Sequence, residues 1–102
     1  MSDIATEIQI DEKIKETVLE PGKYKVVFMN DDATPMDFVV EILVAIFHHT
    51  QQTAQELTMT IHNKGSAVVG VYTYEIAEQK AVEVTKISRE HGFPLQVAIE
   101  KE

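Results

Sequence analysis

The chain has 102 residues, of which 17 are acidic, 9 are Lys or Arg and none is cysteine, and its formal net charge is −8. This length suits one domain with a single core, and the lack of cysteine excludes disulfide frameworks, thiolate nucleophiles and Cys-ligated zinc or iron–sulfur sites. The acidic balance argues against nucleic-acid and anionic-membrane partners, which attract Lys and Arg. No apolar run approaches the roughly 20 residues of a transmembrane helix or forms a signal peptide. The composition therefore predicts a small soluble domain of a reducing compartment that binds proteins or cations.

The first 22 residues differ in composition from the rest of the chain. They carry six acidic residues and two lysines but no aromatic residue, and they end in Glu20-Pro21-Gly22, a turn signal. Such a segment buries too little apolar surface to offset the entropy of ordering it. We therefore expect residues 1–22 to form a flexible acidic extension and residues 23–102 to form the folded domain. Composition leaves open whether the extension is an inert solubilising tail or an arm that engages a partner.

The folded part begins with a predicted strand and a predicted helix. Tyr24–Met29 is rich in β-branched and aromatic residues and is bounded by turn residues, which is typical of a strand. Thr34 and Pro35 have the chemistry of a helix N-cap and of the first helical position. Apolar residues then recur with a helical period, so one face of this helix is expected to be buried, and the polar residues 48–52 end it.

A second helix and a second strand follow. Thr53 and Glu56 have the spacing of a capping box, which predicts a helix that begins at Thr53 and ends at Gly65. The valine-rich residues 67–72 are typical of a strand.

The last predicted elements are a third helix and a third strand. Thr73 is expected to cap the helix, and Gly92 ends it. Leu95, Val97 and Ile99 then alternate with other residues, as in an edge strand with one solvent-exposed face. The order β-α-α-β-α-β predicts a two-layer α/β sandwich, in which a three-stranded antiparallel sheet packs against three helices.

Residue types that support catalysis or metal binding are sparse. The chain has only four glycines and no Gly-rich phosphate loop, and Ser66 and Ser88 lack the context of a nucleophile elbow. His48 and His49 are adjacent, so on a helix they point about 100° apart and do not form an i,i+4 ligand pair. They are expected to be solvated residues at the negative end of a helix, and His91 is expected to cap the third helix. We therefore expect no enzyme activity, no metal and no cofactor.

Two positions remain as candidates for a binding site. Asn30, Asp31 and Asp32 are rich in acceptors and lie between a predicted strand and a predicted helix, where binding residues are often found. Such residues also form turns and cap helices without any ligand. His62 lies one turn after Thr58 on the second predicted helix, where a lone histidine is either structural or part of a site. The residues alone leave these alternatives open.

Several motifs occur together in a fixed order. They are Tyr24-Lys25-Val26-Val27, Asn30-Asp31-Asp32-x-Thr34-Pro35-Met36-x-Phe38-Val39, His62, Gly65, Gly70-Val71-Tyr72-Thr73-x-Glu75-x-Ala77-Glu78-x-Lys80, Pro94-Leu95 and Glu100-Lys101. In combination they resemble the ClpS family, the adaptors of the AAA+ Clp protease that read the N-end rule. The resemblance covers residues 23–102, and the family fold of three strands and three helices agrees with the predicted order.

The resemblance implies a function in peptide recognition. ClpS-like proteins bind the free α-amino group and the first side chain of substrates that begin with Leu, Phe, Tyr or Trp, which are called N-degrons. An α-ammonium group has three donors and a positive charge, so its site needs converging acceptors. By position, Asn30, Asp32 and a neutral His62 match the family's acceptors, and Asp31 matches a residue that supports the adjacent backbone.

The resemblance also implies an apolar pocket for the first side chain. Its matching residues are Thr34, Met36, Val39, Leu43, Ile61 and Leu95. Met36 corresponds to the residue that excludes β-branched first residues. The chain departs from the family pattern at Thr58, where a methionine is frequent, and at Ala33, where an aromatic residue is frequent. Thr58 is expected to make the pocket roomier and partly polar, which favours aromatic first residues over Leu.

A second surface would dock the N-terminal domain of a ClpA-type or ClpC-type unfoldase. The residues that match it are Glu75, Glu78 and Lys80, at the start of the third predicted helix. A solvated helix face is the simpler interpretation of the same residues, and it stays open. The resemblance further implies that residues 1–22 contact the unfoldase and that the protein is a monomer in the bacterial cytoplasm.

Two other functions fit parts of the sequence. The predicted sandwich resembles the C-terminal domain of the bacterial ribosomal stalk protein, a general interaction domain, but this leaves residues 30–32 and His62 without a role. A hydrolase built on Asp32 and His62 would lack a nucleophile and a metal site. We therefore expect a non-catalytic adaptor that delivers N-degron substrates to an ATP-dependent Clp protease.

Overall fold

The computed structural model describes residues 4–10 and 22–102 of the chain. In chain order its helices and strands are α1 Ile4–Glu7, β1 Gln9–Ile10, β2 Tyr24–Met29, α2 Met36–Ala45, α3 Gln51–Lys64, β3 Ser66–Tyr72, α4 Tyr74–Glu90 and β4 Gln96–Lys101. From β2 onward the order is β-α-α-β-α-β, as predicted. None of the helices in the two described segments is long and apolar enough to cross a membrane.

The sheet has four strands in the order β1-β4-β2-β3. β2 pairs antiparallel with both β3 and β4, whereas β1 pairs parallel with β4. The prediction of a three-stranded antiparallel sheet is therefore wrong in the number of strands and in the direction of β1, which runs parallel to its neighbour. The missed strand has only two residues and lies among charged ones, so neither alternation nor composition marks it.

Part of the predicted extension belongs to the folded layer. Ile8 is 7% exposed and belongs to the hydrophobic core, and β1 follows it directly. Residues 1–3 and 11–21 lie outside the described residues. The division at residue 22 and the flexibility of the extension therefore stay predictions for those residues.

β4 is not the edge strand that its alternation predicts. β1 pairs with Ala98 and Ile99, so β1 and β3 form the edges of the sheet. Ala98 is 3% exposed, and its partner across the sheet, Val27, is 6% exposed. The predicted solvent-exposed face is therefore wrong at Ala98.

Two helices begin at other residues than predicted, because a different polar side chain makes the hydrogen bond in each case. Pro35 occupies the N-cap position of α2, because the Thr34 hydroxyl donates to Asp31 and does not cap the helix. The N-cap of α3 is Thr50, whose hydroxyl oxygen accepts from the Thr53 backbone N–H at 3.1 Å. The predicted start at Thr53 is therefore wrong.

The first predicted helix ends at Ala45, before the predicted end at residues 48–52, and two of those residues, Gln51 and Gln52, begin α3. The predicted ends at Gly65 and Gly92 and the predicted start at Thr73 are confirmed. Gly65 has φ 95° and ends α3, and Gly92 has φ 77° just after α4. This left-handed conformation costs a residue with a Cβ free energy that glycine avoids. Thr73 is the N-cap of α4, although its side chain makes no capping hydrogen bond.

The histidines at helix ends play unequal parts. His48 is exposed and has φ 60°. His49 is half-buried, and its Nε2 donates to the carbonyl oxygen of Val69 at 2.6 Å, so the predicted solvated position is wrong for His49. His91 confirms its predicted role as a cap: its backbone N–H and its Nδ1 both donate to the Ile87 carbonyl.

The core lies between the sheet and the helices. Alternate residues of β2 face the helices and are almost fully buried, as period-two alternation requires. The largest fully buried side chains include Tyr24, Val26, Phe28, Leu43, Val69, Val84, Leu95, Val97 and Ile99. Every helix from α2 onward contributes to this core, so the ends of β2 and β4 are held firmly in place.

Lys80 joins α4 to the end of α2. Its Nζ donates to the carbonyl oxygen of Ile46 at 2.7 Å, and it lies 5.6 Å from the Phe47 ring centroid and 5.3 Å from that of Tyr72. A cation is favourable at a helix C-terminus and over an aromatic face. Lys80 therefore stabilises the packing of these two helices.

Replacing Lys80 with Met keeps most of the apolar stem and removes the charge and the donor. We expect Lys80→Met to lower the free energy of unfolding by about 1–2 kcal/mol, because one charged hydrogen bond and a cation–π contact are lost. Urea denaturation measures this change. Lys86→Met, at an exposed position of the same helix, is the matched control and should change stability by less than about 0.5 kcal/mol. Equal effects of the two variants would contradict the stabilising role of Lys80.

Candidate functional site

A cleft opens where β2 ends, between the first turn of α2 and the second half of α3. Its inner cavity has a volume of about 270 Å³, including space open to solvent, and is lined by Met29, Asn30, Asp31, Thr34, Met36, Val39, Thr58, Ile61, His62 and Leu95. An outer basin of about 590 Å³ is lined by Asn30, Asp31, Asp32, Thr34, Pro35, Met36 and His62. The two share five lining residues and so form one continuous site.

Helical spacing explains why α3 contributes three of these residues. Thr58, Ile61 and His62 are three and four residues apart, so they lie on one face of the helix. Met36 and Val39 are related in the same way in the first turn of α2. Residues three or four positions apart on each helix therefore lie on the face that borders the cleft.

The mouth of the cleft is polar and negative. Asn30, Asp32 and His62 are exposed, and Asp31 is half-buried. The last turn of α3, which includes His62, adds the partial negative charge of a helix C-terminus. Each of these groups favours a bound cation.

Asp31 orders the turn between β2 and α2. Its Oδ1 accepts from the backbone N–H groups of Ala33 and Thr34 at 2.8 and 2.7 Å, and its Oδ2 accepts from the Thr34 hydroxyl at 2.7 Å. Asp31 therefore supports the backbone beside the site, and much of its acceptor capacity is already used.

Asn30 is fixed relative to α3. Its backbone N–H donates to the carbonyl oxygen of Gly65 at 2.8 Å, three residues beyond His62. This bond joins the end of β2 to the end of α3. The side chains of Asn30 and His62 consequently emerge from two segments that are tied together.

The inner end of the cleft is apolar. Val39, Ile61 and Leu95 are buried around it. Thr58 is 4% exposed, and its hydroxyl donates to the Ala54 carbonyl at 2.8 Å within its own helix. The wall at this position is therefore small and less polar than the residue type suggests. Met36, which is 39% exposed, lies at the rim.

The structure brings together most of the residues that the sequence singles out. The four polar candidates and six of the seven pocket candidates line the cleft. Leu43 does not: it is fully buried in the core and is absent from the lining. Met29 lines the inner cavity and is missed by the sequence analysis, although its position directly before Asn30 is a signal that could have found it. Ala33 is exposed beside the outer basin and does not line it.

The three residues predicted for a second surface lie on α4 and not in the cleft. Glu75 and Glu78 are exposed, whereas Lys80 is half-buried and bound to the Ile46 carbonyl. The Tyr74 hydroxyl donates to Glu78 at 3.2 Å, and partial burial together with the Glu78 charge raises the pKa of Tyr74. Burial alone raises the pKa of Tyr72. Both phenols therefore keep their proton to a higher pH than an exposed tyrosine.

The cleft combines hydrogen-bond acceptors with an apolar surface. The hydroxyls of its two threonines donate to the Asp31 carboxylate and to the Ala54 carbonyl. Among the residues that the structure describes, no group of three His, Asp or Glu side chains could hold a metal ion. An acceptor-rich mouth beside an apolar cavity fits an organic cation that carries an apolar group.

Comparison with known proteins points to one family. A family profile described as ATP-dependent Clp protease adaptor protein ClpS matches residues 19–98. The adapter protein ClpS of Acetivibrio thermocellus is 49% identical over 83 residues, which cover 81% of this chain and 84% of the relative. That of Treponema denticola is 44% identical over 88 residues, covering 86% and 87% of the two chains.

A solved structure is similar as well. The ClpS2 protein of Agrobacterium tumefaciens, bound to L-phenylalaninamide, superposes with a TM-score of 0.78 at 46% sequence identity and covers 81% of this chain and 100% of its own. Both the sequence and the fold therefore agree with the family profile over most of the chain. The chain belongs to the ClpS family of ATP-dependent Clp protease adaptor proteins.

Proposed function

We propose that this protein is a non-catalytic adaptor that binds polypeptides by their N-terminal residue and delivers them to a Clp protease. The observation that carries the proposal is the cleft itself, which joins an acidic, acceptor-rich mouth to an apolar inner cavity. Further support comes from the Agrobacterium relative, because its ligand L-phenylalaninamide has a free α-amino group and an apolar side chain.

The mouth would bind the α-ammonium group. This group has three donors, and Asn30, Asp32 and the neutral ring of His62 can each supply an acceptor. Asp32 would also neutralise the positive charge, and hydrogen bonds between charged partners contribute more than neutral ones. Asp31 would act indirectly, by holding the turn that carries its neighbours.

The inner cavity would take the first side chain. Burying a Leu or Phe side chain contributes roughly 1.5–3 kcal/mol, which disfavours small or polar first residues. Met36 at the rim would restrict the entrance and exclude β-branched first residues. A bulky, unbranched first residue with a free amine is thus the preferred ligand.

Delivery would use a different surface. The exposed acids Glu75 and Glu78 on α4 suit a basic patch on the N-terminal domain of a ClpA-type or ClpC-type unfoldase. Because residues 4–10 pack on the domain, the rest of the extension 1–22 would be the accessory arm. Lys80 would support this surface from beneath, through its contact with α2. Such a protein would act as a monomer in the bacterial cytoplasm. A general interaction domain of the ribosomal-stalk type would leave the cleft without a ligand.

The direct test compares two labelled peptides that begin with Phe, one with a free α-amine and one acetylated. We expect the free amine to bind at least about 100-fold more tightly, because acetylation removes the charge and most of the donors that the mouth accepts. Fluorescence anisotropy measures both affinities. Asp32→Asn should weaken the free peptide selectively, whereas Asp37→Asn, an exposed acid of α2 outside the cleft lining, is the matched control. Equal affinity for the two peptides would refute amine recognition.

Thr58 provides a test of side-chain selectivity. We expect the wild type to prefer Phe over Leu as the first residue, because Thr58 is a smaller wall residue than the methionine frequent at this position in the family. Thr58→Met should add bulk to this wall and raise the affinity for the Leu peptide relative to the Phe peptide by about four- to fifteenfold, as expected for one to two buried methylene groups. Thr60→Met, on the same helix outside the lining, is the control. An unchanged Leu/Phe ratio in Thr58→Met would show that this position does not set selectivity.

A further inference from the structure

Arg89, in the last turn of α4, joins two distant parts of the chain. Its Nε donates to Oε1 of Glu7 at 2.7 Å, and its Nη1 donates to the carbonyl oxygens of Phe93 and Leu95 at 2.8 and 3.1 Å. The side chains of Arg89 and Glu7 are 26% and 27% exposed. One guanidinium group therefore links the N-terminal residues 4–10 to the turn that leads into β4.

This turn carries one wall of the cleft. Leu95 is 1% exposed and lines the inner cavity. Two residues earlier, Phe93 packs edge-to-face on Phe38, with 4.9 Å between the ring centroids. Phe38 directly precedes Val39, which also lines the cavity. A shift of the turn would consequently move two walls of the cavity.

Residues 4–10 contact two segments of the chain, one that comes before Leu95 in the sequence and one that comes after it. Before it, Glu7 pairs with Arg89. After it, β1 pairs with Ala98 and Ile99 of β4. The 7% exposed Ile8 lies between Glu7 and β1 and packs in the core.

We propose that Arg89 is a positioning residue of the cleft, and that docking of residues 4–10 and binding of a ligand in the inner cavity stabilise each other through it. The guanidinium group is planar and rigid, so the bond from Nε to Glu7 fixes the direction of Nη1 toward the Phe93 and Leu95 carbonyls. When residues 4–10 detach, water replaces Glu7 and this restraint is lost. The ligand half of the proposal rests on the peptide binding proposed above.

Thermodynamic linkage makes the coupling reciprocal. If docked residues 4–10 raise the affinity for a peptide by some factor, the bound peptide must raise the docking equilibrium by the same factor. Docking of residues 4–10 should therefore change the affinity of the inner cavity for a peptide, and a bound peptide should change the docking of residues 4–10. An ion pair with a purely structural role would have neither effect.

The first experiment uses the full chain without ligand. In Glu7→Gln and in Ile8→Asp, we expect faster amide hydrogen exchange at residues 8–10 and shifted NMR signals of the Leu95 methyl groups. The methyl signals of the buried Val69, from β3 at the opposite edge of the sheet from β1, should stay unchanged and show that the domain is folded. Glu90→Gln, an exposed acid beside Arg89, is the matched control and should leave both signals unchanged.

The second experiment adds the free-amine Phe peptide. We expect both variants to bind it about fivefold more weakly than the wild type, and the peptide to slow exchange at residues 8–10 of the wild type by a similar factor. Arg89→Lys keeps a positive charge for Glu7 but loses the planar fork, so it should weaken the peptide as well.

The outcomes separate this inference from the proposed function. Faster exchange at residues 8–10 with unchanged Leu95 signals and unchanged affinity would overturn the inference and leave peptide binding intact. Failure of the wild type to bind any free-amine peptide would refute the proposed function and the ligand half of the inference. The Leu95 methyl signals of the ligand-free protein would still show whether docking of residues 4–10 changes the position of the cleft wall through Arg89.

Discussion

The turn between β2 and α2 depends on one carboxylate. Asp31 accepts three hydrogen bonds from Ala33 and Thr34, and two of them come from backbone N–H groups that precede the helix. No side chain caps α2 itself, and Asp31 instead satisfies two backbone donors of the turn that leads into it. The positions of Asn30 on one side of the turn and of Met36 on the other follow from this arrangement.

The charge of the protein has two different uses. Most acidic side chains of the described residues are exposed, where they add to the net charge without forming a site. Asp31 and Asp32 instead lie together at the mouth of the cleft, near the C-terminal turn of α3. Their placement, and not the net charge of −8, makes the mouth of the cleft attractive to a cation.

Sequence patterns predict the large elements well because each has a long apolar period. They fail where several polar side chains could cap the same helix. Thr34 and Thr53 both resemble N-caps, but the Thr34 hydroxyl bonds to Asp31, and Thr50 caps the helix that Thr53 was expected to begin. They also miss β1, since two residues carry no period.

The candidate site, like the fold, is predictable only in part from the sequence. The residues around the cleft are recognisable by motif, and their convergence is visible only in the structure. Leu43 has the right spacing on α2 but lies in the core, and Met29 lines the cavity although only its place before Asn30 marks it in the sequence. Lys80 reads as a surface charge in the sequence, yet it is turned toward the Ile46 carbonyl by the packing of two helices.

The central claim is that the cleft recognises a positively charged amine next to an apolar side chain. Isothermal titration calorimetry with L-phenylalaninamide and with 3-phenylpropanamide tests it most directly, since the two ligands differ only in the α-amino group. We expect measurable binding of L-phenylalaninamide and affinity about 100-fold lower or undetectable for 3-phenylpropanamide. Similar affinities for the two ligands would show that the acidic mouth does not bind the amine.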